Sequence, residues 1–225
     1  MTSIADDDLP WAATVLLLRS PADGGVEVLM MQRPDRGSFA SAWVFPGGRV
    51  ENADMSDDAD TTLRRAAVRE VAEETGLQVE PDVLVPVSEW IPPVTEPKRI
   101  HTWFFAAPDP GGRIRVQASE VVRAEWFRPA DMLALHAAGD ARLYPPTFVT
   151  LLNLRDAVDA ESALARLDGA RVRRYATLAS VIDGARMFSW DGDDATAATP
   201  EEQRHRLDTS ELPWRYVPPR DDSRS

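Results

Sequence analysis

One stretch places a glycine loop directly before an acidic helix: residues 44–79, VFPGGRVENADMSDDADTTLRRAAVREVAEETGLQV. The loop is FPGG at 45–48, where two glycines allow the backbone to approach a ligand closely. From about Asp60 the pattern predicts a helix that ends at Thr75, because a glycine such as Gly76 commonly closes a helix in left-handed backbone. We therefore place the rest of the chain around a loop–helix unit.

The predicted helix concentrates carboxylates on one side. Glu70, Glu73 and Glu74 fall within one arc at about 100° per residue, while Val68 and Val71 point elsewhere and can pack on a core. Crowded carboxylates repel one another unless a cation lies among them, and Mg²⁺ and Mn²⁺ prefer such oxygen ligands. A solvated acidic face is the alternative interpretation. The preceding glycine loop favours the metal site, because it can turn a backbone carbonyl toward the same cation.

These residues resemble the Nudix box, G-x5-E-x7-R-E-U-x-E-E-x-G-U, in which U is apolar. Gly48 matches the first position, and residues 69–77 (REVAEETGL) match every fixed position of the second half. In the first half, Asp54 stands where the pattern has Glu. Fourteen residues separate Asp54 from Arg69, where the pattern has seven. We expect the extra acidic segment, roughly Met55–Thr61, to loop out before the helix.

The resemblance implies an α/β class fold, the Nudix-type α/β/α sandwich with a mixed sheet and a catalytic loop-helix. It also implies a Mg²⁺- or Mn²⁺-dependent hydrolase that cleaves a nucleoside diphosphate linked to another group, with water as nucleophile. Glu120, in the loop before the strand that contains Trp126 and Phe127, resembles the family's late acidic position. The implied catalytic residues are Arg69, Glu70, Glu73, Glu74 and Glu120. The implied metal ligands are Glu70, Glu73, Glu74 and a carbonyl of Gly47 or Gly48, with Arg69 orienting the carboxylates.

Two further segments are similar to a Nudix branch that includes the peroxisomal coenzyme A diphosphatases. They are residues 31–54 (MQRPDRGSFASAWVFPGGRVENAD) and 90–105 (WIPPVTEPKRIHTWFF). The likeness implies coenzyme A or an acyl-CoA as substrate, ahead of NADH and ADP-ribose. A hypothesis of another class is a non-catalytic nucleotide sensor that binds a partner through its C-terminal extension. The complete set of helix carboxylates argues against the sensor.

Four residues are candidates for substrate binding: Arg33, Trp90, Lys98 and Arg99. Lys98 and Arg99 lie in a proline-stiffened loop, from which they can meet substrate phosphates. Trp90 can stack on a base, or it can lie in the core, where tryptophans are usually well buried.

Composition limits the partners that the protein can have. The chain has 225 residues, 44% of them hydrophobic, and a formal net charge of −12. Because binding to nucleic acid and anionic membranes depends on Lys and Arg surfaces, this charge argues against both. The partner that the Nudix resemblance implies is a small-molecule nucleotide. The absence of cysteine excludes disulfides and thiol catalysis. An acidic N-terminus without a basic signal region, and no apolar run near the ~20 residues of a membrane span, indicate a cytoplasmic protein.

We expect three regions: a flexible N-terminal arm at 1–10, the Nudix domain at 11–160, and a partly helical C-terminal extension at 161–225 with a loose tail. The predicted strands are 12–19, 26–33, 43–45, 83–90, 100–107, 114–117 and 124–128. The further predicted helices are 129–136, 145–158 and 161–167, while 172–182 fits either element. The segment LPWRYVPP at 212–219 is expected to lie against the domain or a second subunit, and the resemblance is compatible with a homodimer.

Overall fold

The computed structural model describes residues 9–37, 39–117, 119–182, 184–190 and 205–219. The strands are β1 (Trp11–Arg19), β2 (Glu27–Gln32), β3 (Trp43–Val44), β4 (Gly47–Arg49), β5 (Val85–Ile91), β6 (His101–Pro108), β7 (Arg123–Phe127), β8 (Arg173–Ala176), β9 (Leu178–Ile182), β10 (Ala185–Ser189), β11 (Arg206–Asp208) and β12 (Arg215–Val217). The α-helices are α1 (Ala59–Thr75), α2 (Pro129–Ala138), α3 (Pro145–Leu154) and α4 (Ala160–Asp168).

The main sheet is mixed, as the Nudix resemblance implies. Its strands run in the order β3-β2-β1-β6-β5-β8, with β4 also paired to β1 and β7 to β2. β1 lies parallel to β6, and β5 lies parallel to β8, whereas the remaining pairs are antiparallel. β1 and β2, which follow each other in the sequence, form an antiparallel hairpin.

Helices cover both faces of this sheet. Along β1, alternate side chains point to opposite faces. Leu16 and Leu18 join a core that includes Phe148 of α3. Val15 and Leu17 join a second core with Val71 of α1. The α/β/α sandwich is thereby confirmed, with α1 on one face and α2 and α3 on the other.

Local signals set the limits of α1. The carboxylate of Asp58 accepts a hydrogen bond from the backbone N–H of Thr61 at 2.7 Å, which caps the N-terminus. The helix closes at Gly76, whose φ is 71°. The extra segment lies between a short 3₁₀-helix at Asn52–Asp54 and the first turn of α1. The longer first half of the box is therefore accommodated before the helix rather than inside it.

Two regions differ from the sequence prediction. Residues 114–117, predicted as a strand, are irregular, and the N–H of Arg115 donates to the carbonyl of Thr75 at 2.7 Å instead. The extension, predicted as helical or irregular, contributes α4 and then five strands. β8 extends the main sheet, and β9–β12 form a four-stranded antiparallel sheet. Residues 1–8 of the arm predicted at 1–10, and the polar segment at 191–204, lie outside the described residues.

Within the described ranges, no helix combines the length and the apolar character that crossing a bilayer requires.

Candidate active site

Arg69 is the hub of the acidic helix face. Its Nη2 donates to Asp54 Oδ2 at 2.9 Å and to the carbonyl of Arg49 at 2.8 Å. Its Nη1 donates to Glu70 Oε1 at 2.9 Å and to Glu73 Oε2 at 3.0 Å. The planar guanidinium thus fixes three carboxylates in one arrangement, which agrees with the orienting role that the Nudix resemblance implies.

Asp54 reaches this hub in spite of the longer segment that separates it from Arg69. Its side chain is buried, with 3% relative exposure, and it also accepts the N–H of Glu51 at 2.8 Å. Burial acts to raise the pKa of Asp54, but the hydrogen bonds from Arg69 and from the Glu51 backbone outweigh it, so the pKa is lowered. Asp54 therefore stands as a charged anchor for Arg69 at the Glu position of the box.

Glu74 is the most deeply buried acid of the group, with 2% relative exposure. Its Oε2 accepts the N–H of Gly47 at 2.8 Å, and its Oε1 accepts Nη1 of Arg33 at 2.7 Å. Burial raises its pKa to about 7, against the opposing effects of Gly47 and Arg33, and the charges of Glu70 and Glu120 raise it further. The pKa of this carboxyl consequently falls in the neutral range.

Positions 47 and 48 of the loop require glycine, because neighbouring atoms lie too close for a side chain. A Cβ added to Gly48 would lie 2.3 Å from Oε1 of Glu70, and one added to Gly47 would lie 2.4 Å from the carbonyl oxygen of Ala13. The Glu70 carboxylate therefore lies directly against the loop backbone. Burial raises the pKa of Glu70, with Arg69 opposing the shift. A second acid with a raised pKa thus lies near Glu74.

The loop residue Glu120 completes the cluster at its exposed side. Arg33 Nη1 lies 3.9 Å from Glu120 Oε2, and the Glu120 side chain is 47% exposed. Glu73, by contrast, is 53% exposed and pairs with Arg69. The cluster therefore joins the end of β2, the C-terminal half of α1 and the loop before β7.

The donor chemistry of this cluster fits a hard divalent cation. Glu70, Glu74 and Glu120 supply only carboxylate oxygens, and their mutual repulsion contributes to the raised pKa values of Glu70 and Glu74. Among the residues that the structure describes, no three acidic or histidine side chains are already arranged as a complete metal site. Glu70 and Glu74, with Glu120 beside them, are the residues that would hold an ion. Glu73, also predicted as a ligand, is more exposed than Glu70, and both pair with Arg69. The N–H of Gly47 donates to Glu74, and a metal-ligating carbonyl of Gly47 or Gly48 stays a prediction.

The four residues predicted to bind substrate lie in different surroundings. Arg33 lies in the acidic cluster, whereas Trp90 is 4% exposed and stacks on Tyr175 at 3.8 Å between ring centroids. That contact covers one face of the indole and favours the core interpretation of Trp90. Arg99 donates to the carbonyl of Pro92 in its own loop at 3.1 Å, and Lys98 is exposed on the same loop.

The positions of Arg33 and Glu74 in the sequence do not indicate that their side chains are in contact. Arg33 directly follows β2, and its N–H donates to the carbonyl of Ala42 just before β3. Those neighbours place Arg33 beside the FPGG loop. The tertiary pairing of β2 with β3, rather than a local motif, therefore brings the positive charge of Arg33 to α1.

The fold and the site together define an α/β/α protein with a buried acidic cluster between a glycine loop and a helix. The description "NUDIX domain" matches residues 8–146. The chain belongs to this family, which confirms the resemblance found in the sequence.

Named relatives agree with the family. "Putative nudix hydrolase 1" of Caenorhabditis elegans is 30% identical over 129 residues, which cover 57% of this chain and 31% of the relative. The chain thus spans less than a third of that curated protein. A NUDIX hydrolase from Alicyclobacillus acidocaldarius gives a TM-score of 0.64 at 25% identity, covering 73% of this chain and 99% of that one.

The NUDIX domain of Shewanella oneidensis NrtR, solved in complex with ADP ribose, is similar at the level of the fold. Its TM-score is 0.52 at 17% identity, with coverage of 74% of this chain and 94% of that one. None of these three relatives is described as a coenzyme A diphosphatase. The likeness to that branch therefore stays a prediction.

Proposed function

We propose that the protein is a divalent-metal-dependent pyrophosphohydrolase that cleaves a nucleoside diphosphate linked to another group. The observation that carries the proposal is the placement of Glu74, buried between the Gly47 amide and Arg33, with Glu70 and Glu120 nearby. Membership of the NUDIX family and relatives described as nudix hydrolases support an enzyme that acts on pyrophosphate bonds.

The residues of the cluster have separable tasks in this proposal. Arg69 holds Glu70, and the Gly47 amide holds Glu74, so that both carboxylates are oriented before substrate arrives. Bound Mg²⁺ or Mn²⁺ supplies positive charge to the pyrophosphate oxygens and lowers the pKa of water. Water attacks one phosphorus, the bond to the bridging oxygen breaks, and a carboxylate of the cluster accepts the proton that the water releases. Arg33, already at the cluster, can turn to a substrate phosphate.

Coenzyme A or an acyl-CoA is the substrate that we favour, with NADH and ADP-ribose as alternatives. The support is the sequence likeness of residues 31–54 and 90–105 to the coenzyme A diphosphatase branch. Lys98 is exposed on the second segment, where it can meet a phosphate. The ADP ribose bound by the NrtR domain keeps ADP-ribose among the alternatives. A small-molecule nucleotide is thus the expected partner, and a homodimer remains compatible with the proposal.

The test is turnover of a substrate panel with Mg²⁺ and Mn²⁺. The panel comprises coenzyme A, acetyl-CoA, NADH, ADP-ribose and diadenosine polyphosphates. We expect Glu74→Gln to lower kcat by at least about 100-fold while the fold is kept, because an amide binds a cation far less well. Glu80→Gln, which neutralises an exposed carboxylate beyond α1, is the matched control and should keep full activity.

The possible outcomes of this experiment test the proposed reaction and the proposed substrate separately. Near-native turnover by Glu74→Gln would overturn the catalytic assignment. A faster rate on another nucleotide would keep the reaction and replace the substrate. Binding of a nucleotide, seen as a raised Tm, without turnover of any panel member would establish the sensor hypothesis instead.

A further inference from the structure

The four-stranded sheet of the extension ends in a strand with an open edge. In the part of the chain that the structure describes, β9 pairs with β10 alone and is the last strand of the order β12-β11-β10-β9. The N–H of Thr177, just before β9, still donates to the carbonyl of Ile91 at 2.9 Å, but no described residue bonds to the outer side of residues 178–182. Such an edge presents unpaired N–H and C=O groups, which are a template for another strand.

Three large apolar side chains of β9 are exposed to solvent. The exposed fractions are 68% for Leu178, 72% for Val181 and 48% for Ile182. Because side chains alternate along a strand, Leu178 and Ile182 share one face. Val181 shares the other face with Ala179, which packs partly against the core. A further strand on this edge would therefore cover apolar surface on both faces of the sheet.

The open edge carries no charge. The five residues of β9, LASVI, include no Lys, Arg, Asp, Glu or Pro, in a chain of which 28% is charged. On the paired side, β10 places one charged residue opposite β9, Arg186 beside Val181, and that guanidinium is already paired with Glu96. Natural edge strands commonly prevent further pairing with charged side chains, proline or a bulge. The edge of β9 therefore permits pairing, and it does not select a charged partner.

A second copy of β9 matches this edge at every position. The antiparallel register that overlaps all five residues is centred on Ser180, which faces Ser180 of the second copy. In this register Leu178 faces Ile182 of the second copy, and Ala179 faces Val181. Directly opposite side chains lie about 4.5–5.5 Å apart between Cβ atoms, and apolar pairs at this distance stabilise a sheet. The two-fold axis repeats each contact, so the exposed apolar side chains of both copies are covered together.

We propose that β9 is a self-association surface, through which two copies of the chain join their four-stranded sheets into one continuous antiparallel sheet. The contact is centred on a single strand of five residues. It therefore falls below the roughly 1,200 Å² of a standard interface, and we expect reversible association with a Kd on the order of 10–100 μM. The proposal does not rest on the hydrolase assignment, and its tests require no substrate.

Disulfide trapping tests the register, because the chain has no cysteine of its own. Ser180→Cys would place two thiols directly across the axis, within the Cα separation of about 4.4–6.8 Å that a disulfide requires. Leu178→Cys would place its two thiols four residues apart along the paired strands, roughly 13 Å, which is too far. We expect Ser180→Cys to form a disulfide-linked dimer under mild oxidation and Leu178→Cys alone to stay monomeric on a non-reducing gel.

A mixture of two single-cysteine proteins tests the same register at the ends of the strand. Leu178→Cys and Ile182→Cys should form a disulfide with each other, because these positions face each other across the axis, whereas each protein alone should not. Trapping of Leu178→Cys with itself as fast as Ser180→Cys would overturn the proposal, since the contact would then lie elsewhere. Failure of Ser180→Cys to trap a dimer at concentrations above the expected Kd would overturn it as well.

Sedimentation velocity of the full chain, from about 5 to about 500 μM, spans the expected Kd and measures the association itself. Because each copy carries a net charge of −12, the copies repel each other, and the Kd should fall when NaCl is raised from about 50 to about 500 mM. Ser180→Lys sets two ammonium groups opposite each other and should raise the Kd at least about 5-fold. Ala165→Lys adds the same charge at an exposed position of α4 and should not. A monomer throughout this range, or a dimer that Ser180→Lys leaves intact, would contradict the proposal.

Discussion

At the scale of single residues, the candidate site is governed by the burial of negative charge. Glu74 is almost fully enclosed, and the amide of Gly47 and the guanidinium of Arg33 compensate its charge only in part. Its pKa of about 7 expresses the remaining cost of ionisation. Bound cations would offset that cost, so the same residue links folding, metal binding and pH.

In metal-free protein, we expect the cost of ionising buried Glu74 to make the free energy of unfolding depend on pH. Between the ordinary value of 4.5 and the folded value of about 7, folded Glu74 keeps a proton that the unfolded chain has released. The free energy of unfolding therefore falls as pH rises through this window. Glu74→Gln removes the titration. In EDTA, its stability relative to the wild type should rise by on the order of 2 kcal/mol from pH 4.5 to pH 8.

Thermal unfolding of both proteins at several pH values in EDTA measures this difference. The exposed Glu80→Gln should show no such trend. A stability difference between Glu74→Gln and the wild type that stays constant with pH would contradict the raised pKa. Adding Mg²⁺ at pH 8 should then stabilise the wild type and not the variant, because only the wild type retains the carboxylate.

Arg69→Lys tests whether the planar geometry of the Arg69 guanidinium matters in addition to its positive charge. A lysine ammonium cannot span Asp54, Glu70, Glu73 and the Arg49 carbonyl in one plane. We expect kcat to fall by about 10- to 100-fold and Mg²⁺ affinity to fall, by analogy with the loss of residues that orient metal ligands. Steady-state kinetics at varied Mg²⁺ measures both. Arg65→Lys is the control, because Arg65 lies on the same helix, is exposed and donates to the carbonyl of Met55. Equal kinetics of the two variants would exclude an orienting role for Arg69.

At the scale of elements, the glycine loop and α1 form a unit whose halves constrain each other. β4 pairs with β1 through Gly47 and Gly48, and the same two residues meet the carboxylates of α1. A side chain at Gly47 or Gly48 would therefore displace either the strand β1 or a carboxylate of α1. The conflict is steric and does not depend on backbone strain at Gly48.

We expect Gly48→Ala to remain folded but to bind Mg²⁺ at least about 10-fold more weakly, because its Cβ would force Glu70 away from the loop. Isothermal titration with Mg²⁺ measures the affinity, and circular dichroism reports the fold. Gly169→Ala is a matched control, since its Cβ would meet only an ordinary contact of 3.5 Å to the carbonyl of Ala165. Native Mg²⁺ affinity in Gly48→Ala would show that Glu70 does not bind the ion from its present position.

The elements also show which structure can be predicted from sequence. α1 was predicted within one residue of its start, because its cap, its apolar stripe and its closing glycine are all local signals. Residues 114–117 have strand-like composition, yet in the described structure the N–H of Arg115 donates to the end of α1, and the carbonyl of Gln117 accepts from Glu120 and Val121 in the following turn. Sequence patterns report the propensity of a segment, whereas a strand also requires a neighbour.

The same limit explains the extension and Trp90. β8 enters the main sheet parallel to β5, a pairing that joins distant parts of the chain and leaves no local pattern. It brings Tyr175 onto the face of Trp90. Because the sequence does not show this contact, Trp90, which lies next to a loop with two cationic side chains, is predicted from sequence as a candidate for base stacking. The acidic cluster could be predicted because its helix residues are close in sequence. Arg33 was predicted as a substrate-binding residue, but its contact with Glu74 could not be predicted.

At the scale of the whole molecule, the described part of the extension at 161–225 contributes to the same core as the domain at 11–160. Tyr175, Phe188, Trp190 and Leu207 are members of the cluster that contains residues of β1 and α3. The predicted boundary near residue 160 is therefore crossed by continuous packing. A cluster shared in this way makes the two regions unfold together.

Tyr175→Ala tests this continuity. Tyr175 is 2% exposed and contacts Trp90 by stacking and Trp190 edge-on at 5.4 Å between centroids. Its loss should lower the free energy of unfolding by about 3–4 kcal/mol, because a large aromatic cavity is left within the core. Leu178→Ala, at a residue that is 68% exposed, should change it by less than about 0.5 kcal/mol. Urea unfolding followed by tryptophan fluorescence and by far-ultraviolet circular dichroism should give one transition, displaced for Tyr175→Ala with both probes. If the extension were an appendage, the two probes would separate and Tyr175→Ala would shift only the weaker transition.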